Sequence, residues 1–196
     1  MAVVQEPLRA SFWSRVLASL VDYLLILGWM LVLALATGLL WLSTGRLYNW
    51  LELGTAGAQL LGFMVLVLPV GIYLYSTETS TAQATVGKRC LGLRVVDAQS
   101  AGRVPKQKIL LRTVIKLLPW EIAHFAVWNF VNIASTGSTD FPLWLLLTAV
   151  IADILPLIYL LTMAIHPQGR GPHDLVAGTT VIRFRVTPTP PHQENR

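Results

Sequence analysis

Four long apolar runs constrain this chain more than any other feature of its sequence. A membrane-crossing helix needs about 20 mostly apolar residues to traverse roughly 30 Å of hydrocarbon. The range 16–42 supplies them with Asp22 as its one charged residue. The range 56–75 is a second such run, and 141–165 is a third, interrupted by Asp153 and Pro156. The range 109–134 is mixed: it opens with Arg112 and Lys116, meets Pro119, then carries Glu121, His124, Asn129 and Asn132 among apolar residues. Hydropathy alone fits this last segment to an interfacial or re-entrant helix as well as to a crossing.

Charge placement decides between these. Lys and Arg collect in short cytoplasmic loops. With four crossings the cytoplasmic side receives Arg9 and Arg15, the Lys88–Lys116 cluster, Arg170, Arg183 and Arg185, and the outside receives only Arg46. If 109–134 did not cross, the last helix would invert and carry its trailing arginines outside. The expectation is therefore an all-α membrane protein, a bundle of four transmembrane helices with both termini cytoplasmic, in the plasma (bacterial inner) membrane. Trp41, Trp50, Trp120 and Trp144 fall near the expected helix ends, where indoles favour the headgroup layer. The first run is too long for a signal-peptide core and lacks a small-residue cleavage site, so it is expected to stay in the mature chain.

Composition agrees, with 54% hydrophobic and 13% charged residues against about 25% charged in an ordinary soluble domain. The net charge of +5 lies in the gaps between apolar runs. No basic stripe interleaved with stacking aromatics stands on a soluble module, so no nucleic-acid partner is expected. The expected partners are the lipid bilayer and either further copies of the chain or another membrane protein. Cys90, the single cysteine, excludes an internal disulfide and a cysteine-only metal cluster.

Two β-like stretches interrupt the helical pattern: 90–96, followed by a turn over 97–102, and 176–186. Both lie on the cytoplasmic side of the expected topology, and pairing them as a short hairpin-like unit satisfies their backbone groups. The transmembrane domain then spans 11–186, and the proline-rich polar tail 187–196 is expected to be disordered.

Ionisable groups at membrane depth cost several kcal/mol by most estimates and are candidate functional sites. Asp22 and Asp153 are two such groups, each with a plain alternative as a packing contact or a protonated, hydrogen-bonded acid. Pro156 removes a donor for the Ala152 carbonyl beside Asp153. Glu121 and His124, three apart on one helix face, suit either a proton relay with Asp153 or an internal hydrogen bond that shields both from lipid.

Several motifs fail. Gly87-Lys88 resembles part of a phosphate loop, but Ala82 and Arg89 stand where glycine and a hydroxyl residue are required. His166, His173 and Asp174 fit no familiar metal-ligand spacing. Neither a catalytic triad nor a cofactor site is discernible, and no enzyme activity is expected.

The segment "ASFWSRVLASLVDYLLI" places Arg15 and Asp22 on a first helix, and "ATVGKRCLGLRVVD" carries Thr85, Gly87, Lys88, Gly92, Arg94 and Val95. Further on, "LLRTVIKLLP" contributes Arg112, and "PHDLVAGTTVI" contributes His173, Asp174, Ala177, Gly178 and Thr179. In order and in context, these resemble the RDD family of membrane proteins, named for one arginine and two aspartates. The resemblance implies Arg15, Asp22 and Asp174 as the naming residues, and transport of unknown ligands, with sodium/proton exchange suggested for some members. Asp153, Glu121 and His124 lie outside the family's naming motif. The preferred picture has the Arg15 guanidinium bridging Asp22 and Asp174 in a geometry lysine cannot match. Two functions follow: a small transporter coupled to cations or protons, or a membrane scaffold whose cytoplasmic layer holds a partner.

Overall fold

The computed structural model describes residues 8–183. The expected tail 187–196, Arg185 and the far end of the second expected strand lie outside the described residues.

The first apolar run forms helix α1, Phe12–Thr44. The Ser11 side chain accepts from the Ser14 backbone N–H at its start, and Gly45, at φ 68°, closes its end in the left-handed conformation that glycine tolerates. The second run is a composite helical stretch: a 3-10 turn at Trp50–Leu53, then α2 (Gly54–Gly62), a π-helical turn at Phe63–Val67, and α3 (Leu68–Thr79). The π turn has a local cause. Pro69 cannot donate to the Val65 carbonyl, and Trp29 of α1 supplies an indole N–H to that oxygen at 3.0 Å.

A short α4, Val86–Cys90, precedes strand β2, Leu93–Asp97. Helix α5, Lys106–Ser135, contains Pro119, and α6, Leu143–Ile165, contains Pro156. Pro119 strips the Ile115 carbonyl of its helical donor, and the Tyr159 hydroxyl on α6 donates to that oxygen at 2.7 Å. Helix α5 packs against α2, α3 and α6 and meets α7, Pro172–Ala177. Three helical stretches are long and apolar enough to cross a membrane: Phe12–Thr44, Trp50–Thr79 and Leu143–Ile165. The mixed helix α5 is not among them. The outward faces of α1 and α6 are apolar, with Leu24, Leu35, Leu157 and Leu161 each more than half exposed. That inverts the pattern of a soluble bundle and marks lipid-facing surface.

The expected hairpin-like pair is one part of a larger unit. Strand β3, Thr179–Arg183, pairs antiparallel with β2, Val95 opposite Val181, and on its other edge with β1, Leu8–Arg9. The strand bounds differ from the sequence expectation at two places. Cys90 ends α4, which Thr85 caps, and Val176 and Ala177 are helical because Pro172 starts α7 and Gly178, at φ 64°, ends it. Leu93, Val95 and Val181 point inward and join Ala10, Ala18, Val104 and Ile109 in the apolar core beneath the helices.

Candidate functional site

Where the sheet layer meets the helices, buried charges from five elements interlock. Arg112 of α5 is 1% exposed and is shared between two carboxylates. Its Nε donates to Glu78 Oε2 at 2.9 Å, and its Nη1 donates to Asp174 Oδ1 and to Thr179 Oγ1. Arg15 of α1 donates from Nη2 to Asp174 Oδ2 and from Nη1 to the Gly169 carbonyl. Lys88 of α4 completes the Glu78 carboxylate with a 2.7 Å contact to Oε1. Asp174 also accepts from the Thr179 hydroxyl and the Gly171 backbone N–H.

Asp22 forms the second half of the assembly, and its partners are neutral. Tyr73 donates to Oδ1 at 2.7 Å, Thr85 to Oδ2 at 2.7 Å, and the Gly87 N–H to Oδ1 at 2.9 Å. Arg15 therefore does not bridge the two aspartates as expected. Asp22 lies two helical turns beyond Arg15, about 10 Å along the axis, at the point where α4 meets α1. Gly87 makes that approach possible: a Cβ there would lie 2.0 Å from the Ala18 carbonyl oxygen.

The ion-pair electrostatics are decided by partners. Burial pushes the Asp174 carboxyl up, but the Arg112 and Arg15 guanidiniums outweigh it and hold the acid well below the usual carboxylate range. Burial holds the His173 imidazole, packed on Tyr159, well below its ordinary value, against the pull of Asp174. In the turn after β2, the Lys108 ammonium and the N–H groups of Ser100 and Gln99 lower the Asp97 carboxyl. The remaining motif residues are structural in placement: Gly92, at φ 66°, turns the chain from α4 into β2, and Arg94 sits on β2 opposite Ile182. With every carboxylate matched by donors, this assembly acts as a clasp joining α1, α3, α4, α5 and α7.

The four residues considered for an ion or proton site are not gathered. Asp22 belongs to the clasp. Asp153 points outward from α6 with no hydrogen-bond or ion-pair partner among the described residues. Glu121 and His124 meet Gln59 of α2 in a separate cluster, nine and twelve residues beyond Arg112 on α5. Gln59 contacts Glu121 Oε1 at 2.5 Å and His124 Nδ1 at 3.4 Å, and Trp128 donates from Nε1 to His124 Nε2 at 2.8 Å. The Trp50 ring stacks on Trp128, with centroids 5.8 Å apart. Gly62 leaves room for the imidazole, since a Cβ there would lie 2.4 Å from Nε2. Two oxygens in the cluster, Gln59 Oε1 and Glu121 Oε2, are buried without a partner.

Sequence reasoning missed Glu78, Tyr73 and Gln59. Glu78 follows the second apolar run by a few residues and has no spacing that ties it to Arg112, 34 positions away. Its one signal is being the sole carboxylate at that end of the helix. Among the described residues no group of His, Cys, Asp and Glu is arranged as metal ligands. A model of the RDD family matches residues 9–178. No curated protein and no solved structure matches the chain.

Proposed function

The chain belongs to the RDD family, and from that premise we propose that it is a small multi-pass transporter coupled to a cation or proton, and not an enzyme. The observation that carries this reading is the Gln59–Glu121–His124 cluster. It sets a carboxylate, an imidazole and two buried unpartnered oxygens between helices, on the side of the clasp away from the sheet. Buried polar groups ordinarily find partners, and ionisable ones inside a membrane bundle commonly mark ion or proton pathways.

The sheet supports a four-crossing topology, and the inner membrane is the location proposed for it. Strands β2 and β3 pair, so they share one side of the bilayer. A chain that leaves β2 and returns to β3 must cross an even number of times, so if α6 crosses, α5 crosses too. The pairing of β1 with β3 imposes the same parity on the stretch between them. Arg46 alone among the basic residues then faces away from the cytoplasm. Four helices enclose little space, and a homo-oligomer would provide the wider pathway.

A scaffold reading has its own support: the naming residues Arg15, Asp22 and Asp174 are spent on the clasp beside the sheet layer. Purified protein in proteoliposomes separates the two. Proton or monovalent-cation flux above that of protein-free vesicles supports transport. Folded protein that passes neither ion under any imposed gradient rules it out in favour of the scaffold.

A further inference from the structure

Helix α6 packs one face and leaves another bare. Ala152 and Met163 are buried, and Tyr159 between them bonds to the Ile115 carbonyl of α5. On the other side Ile154, Leu157, Ile158, Leu161 and Ala164, at helical spacing, line an open apolar groove of about 550 Å3, joined by Phe12 from the start of α1.

The length of the groove says what fits it. Ile154 to Ala164 covers about 15 Å at 1.5 Å per residue, half of the roughly 30 Å hydrocarbon thickness. Asp153 stands just beyond its inner end, near the middle of α6, and α6 stops at Ile165 just beyond its outer end. A crossing helix of another subunit needs the whole thickness. One acyl chain of a single leaflet needs half.

The outer end is basic. Past Ile165 the chain enters the loop 166–171, and the Arg9 guanidinium donates to the carbonyls of Pro167 and His166, the latter at 3.2 Å. It also lies over Gly169, where a Cβ would stand 2.8 Å from Nη2, and Arg170 follows directly. Carbonyl acceptors leave the Arg9 charge uncompensated. Among the described residues no carboxylate pairs with Arg9 or with Arg170. The Arg170 Nε is buried without a hydrogen-bond partner, which buried donors ordinarily find. Trp13, largely exposed and in edge contact with Phe12, marks this end as headgroup depth, where indoles favour the interface.

We propose that the groove is a binding site for an anionic phospholipid of the leaflet on the sheet side. One acyl chain lies along α6 from Ala164 toward Ile154, and the phosphate rests at the loop against Arg9 and Arg170. The apolar wall holds the chain, and the two guanidiniums select a net negative headgroup over a zwitterionic one. The site requires α6 to lie in a bilayer and is independent of the transport reading.

The test is native mass spectrometry of the full chain, released from detergent with phosphatidylglycerol or with phosphatidylcholine of the same acyl chains. Phosphatidylglycerol should be retained in preference. Arg170→Gln should lower that preference about fivefold, the worth of one arginine at a membrane surface. Leu157→Trp fills the groove, keeps both arginines, and should weaken retention of both lipids; it serves if the first variant does not fold. Equal retention of the two lipids overturns the site, as does a preference that survives Arg170→Gln or a retention that survives Leu157→Trp. Competition by glycerol phosphate, which lacks acyl chains, would reveal a plain anion site and overturn it too. A dimer that Leu157→Trp converts to monomer would assign the face to a second copy of the chain and overturn it likewise.

Discussion

Asp174 carries the largest electrostatic load of any residue in the clasp, since two guanidiniums, a hydroxyl and a backbone N–H converge on it. Removing one partner of a buried ion pair costs about 3–5 kcal/mol, because the other charge is left uncompensated. Asp174→Asn is therefore expected to lower stability by about that much in denaturant titration of the detergent-solubilised protein, and a loss below 1 kcal/mol would contradict a shared carboxylate. Arg15→Lys should cost less, about 1–3 kcal/mol, since a lysine cannot reach Asp174 and the Gly169 carbonyl in the same fork. The pH dependence follows from the adjacent imidazole. His173 is held below its ordinary value, so as pH falls below about 6.5 the unfolded chain binds a proton that the folded chain refuses, and stability declines. Asp174, also held low, contributes in full above the ordinary carboxylate range and loses that contribution as pH falls through its folded value. The unfolding midpoint should thus begin to fall near pH 6.5, and His173→Gln should weaken this first phase; a midpoint insensitive to pH until the carboxylate range would contradict a buried neutral His173. At this scale the resemblance gave a direct route to Arg15 and Asp174, because each stands in a short motif. Glu78 was hidden, because its partners come from elements remote in sequence.

Among the elements, the prolines show how a helix defect becomes a contact. Pro119 strips the Ile115 carbonyl of its helical donor, and Tyr159 replaces it from the neighbouring helix. Tyr159→Phe should cost about 1–3 kcal/mol, the penalty for stranding a buried acceptor. In a Pro119→Ala background residue 119 regains its N–H, and the same substitution should cost markedly less. Equal costs in the two backgrounds, read from a double-mutant cycle, would show that the hydroxyl does not act through that carbonyl. Gly87 sets the contact between α1 and α4 in the opposite way, by having nothing to offer. With a Cβ 2.0 Å from the Ala18 oxygen, Gly87→Ala must push α4 away and pull the N–H from Asp22. Overpacking of this sort costs about 1–3 kcal/mol, and retention of parental stability would mean that α4 can retreat freely. The proline positions and the long helices were legible from hydropathy and backbone chemistry. The strand bounds were less so: Val176 and Ala177 open the β-like run, yet Pro172 and Gly178 confine them to α7, and the two residues of β1 carry no periodic signal.

At the scale of the whole molecule, the sheet and the charge rule constrain topology by independent physics. Loop charge argues for a fourth crossing because the alternative exports the arginines that follow α6. The sheet argues for it by parity, since hydrogen-bonded strands cannot stand on opposite sides of a bilayer and α5 and α6 join two of them. Hydropathy supplies neither argument, because Arg112, Lys116, Glu121 and His124 dilute α5, and their burial against other helices becomes visible only in three dimensions. Cys90 is exposed and is the single cysteine, which makes the topology measurable by labelling. An impermeant thiol reagent should reach Cys90 only from the cytoplasmic side. In a Cys90→Ser background, Ser138→Cys in the α5–α6 connection and Arg46→Cys should both label from the opposite side. If Ser138→Cys labels with the cytoplasmic set while Arg46→Cys does not, α5 and α6 enter and leave on the same face. The even crossing count would then be two, with α5 and α6 forming a re-entrant pair. Labelling on the outer side makes α5 and α6 full crossings and puts the Gln59–Glu121–His124 cluster among lipid-embedded helices, where buried polar atoms without partners are costly.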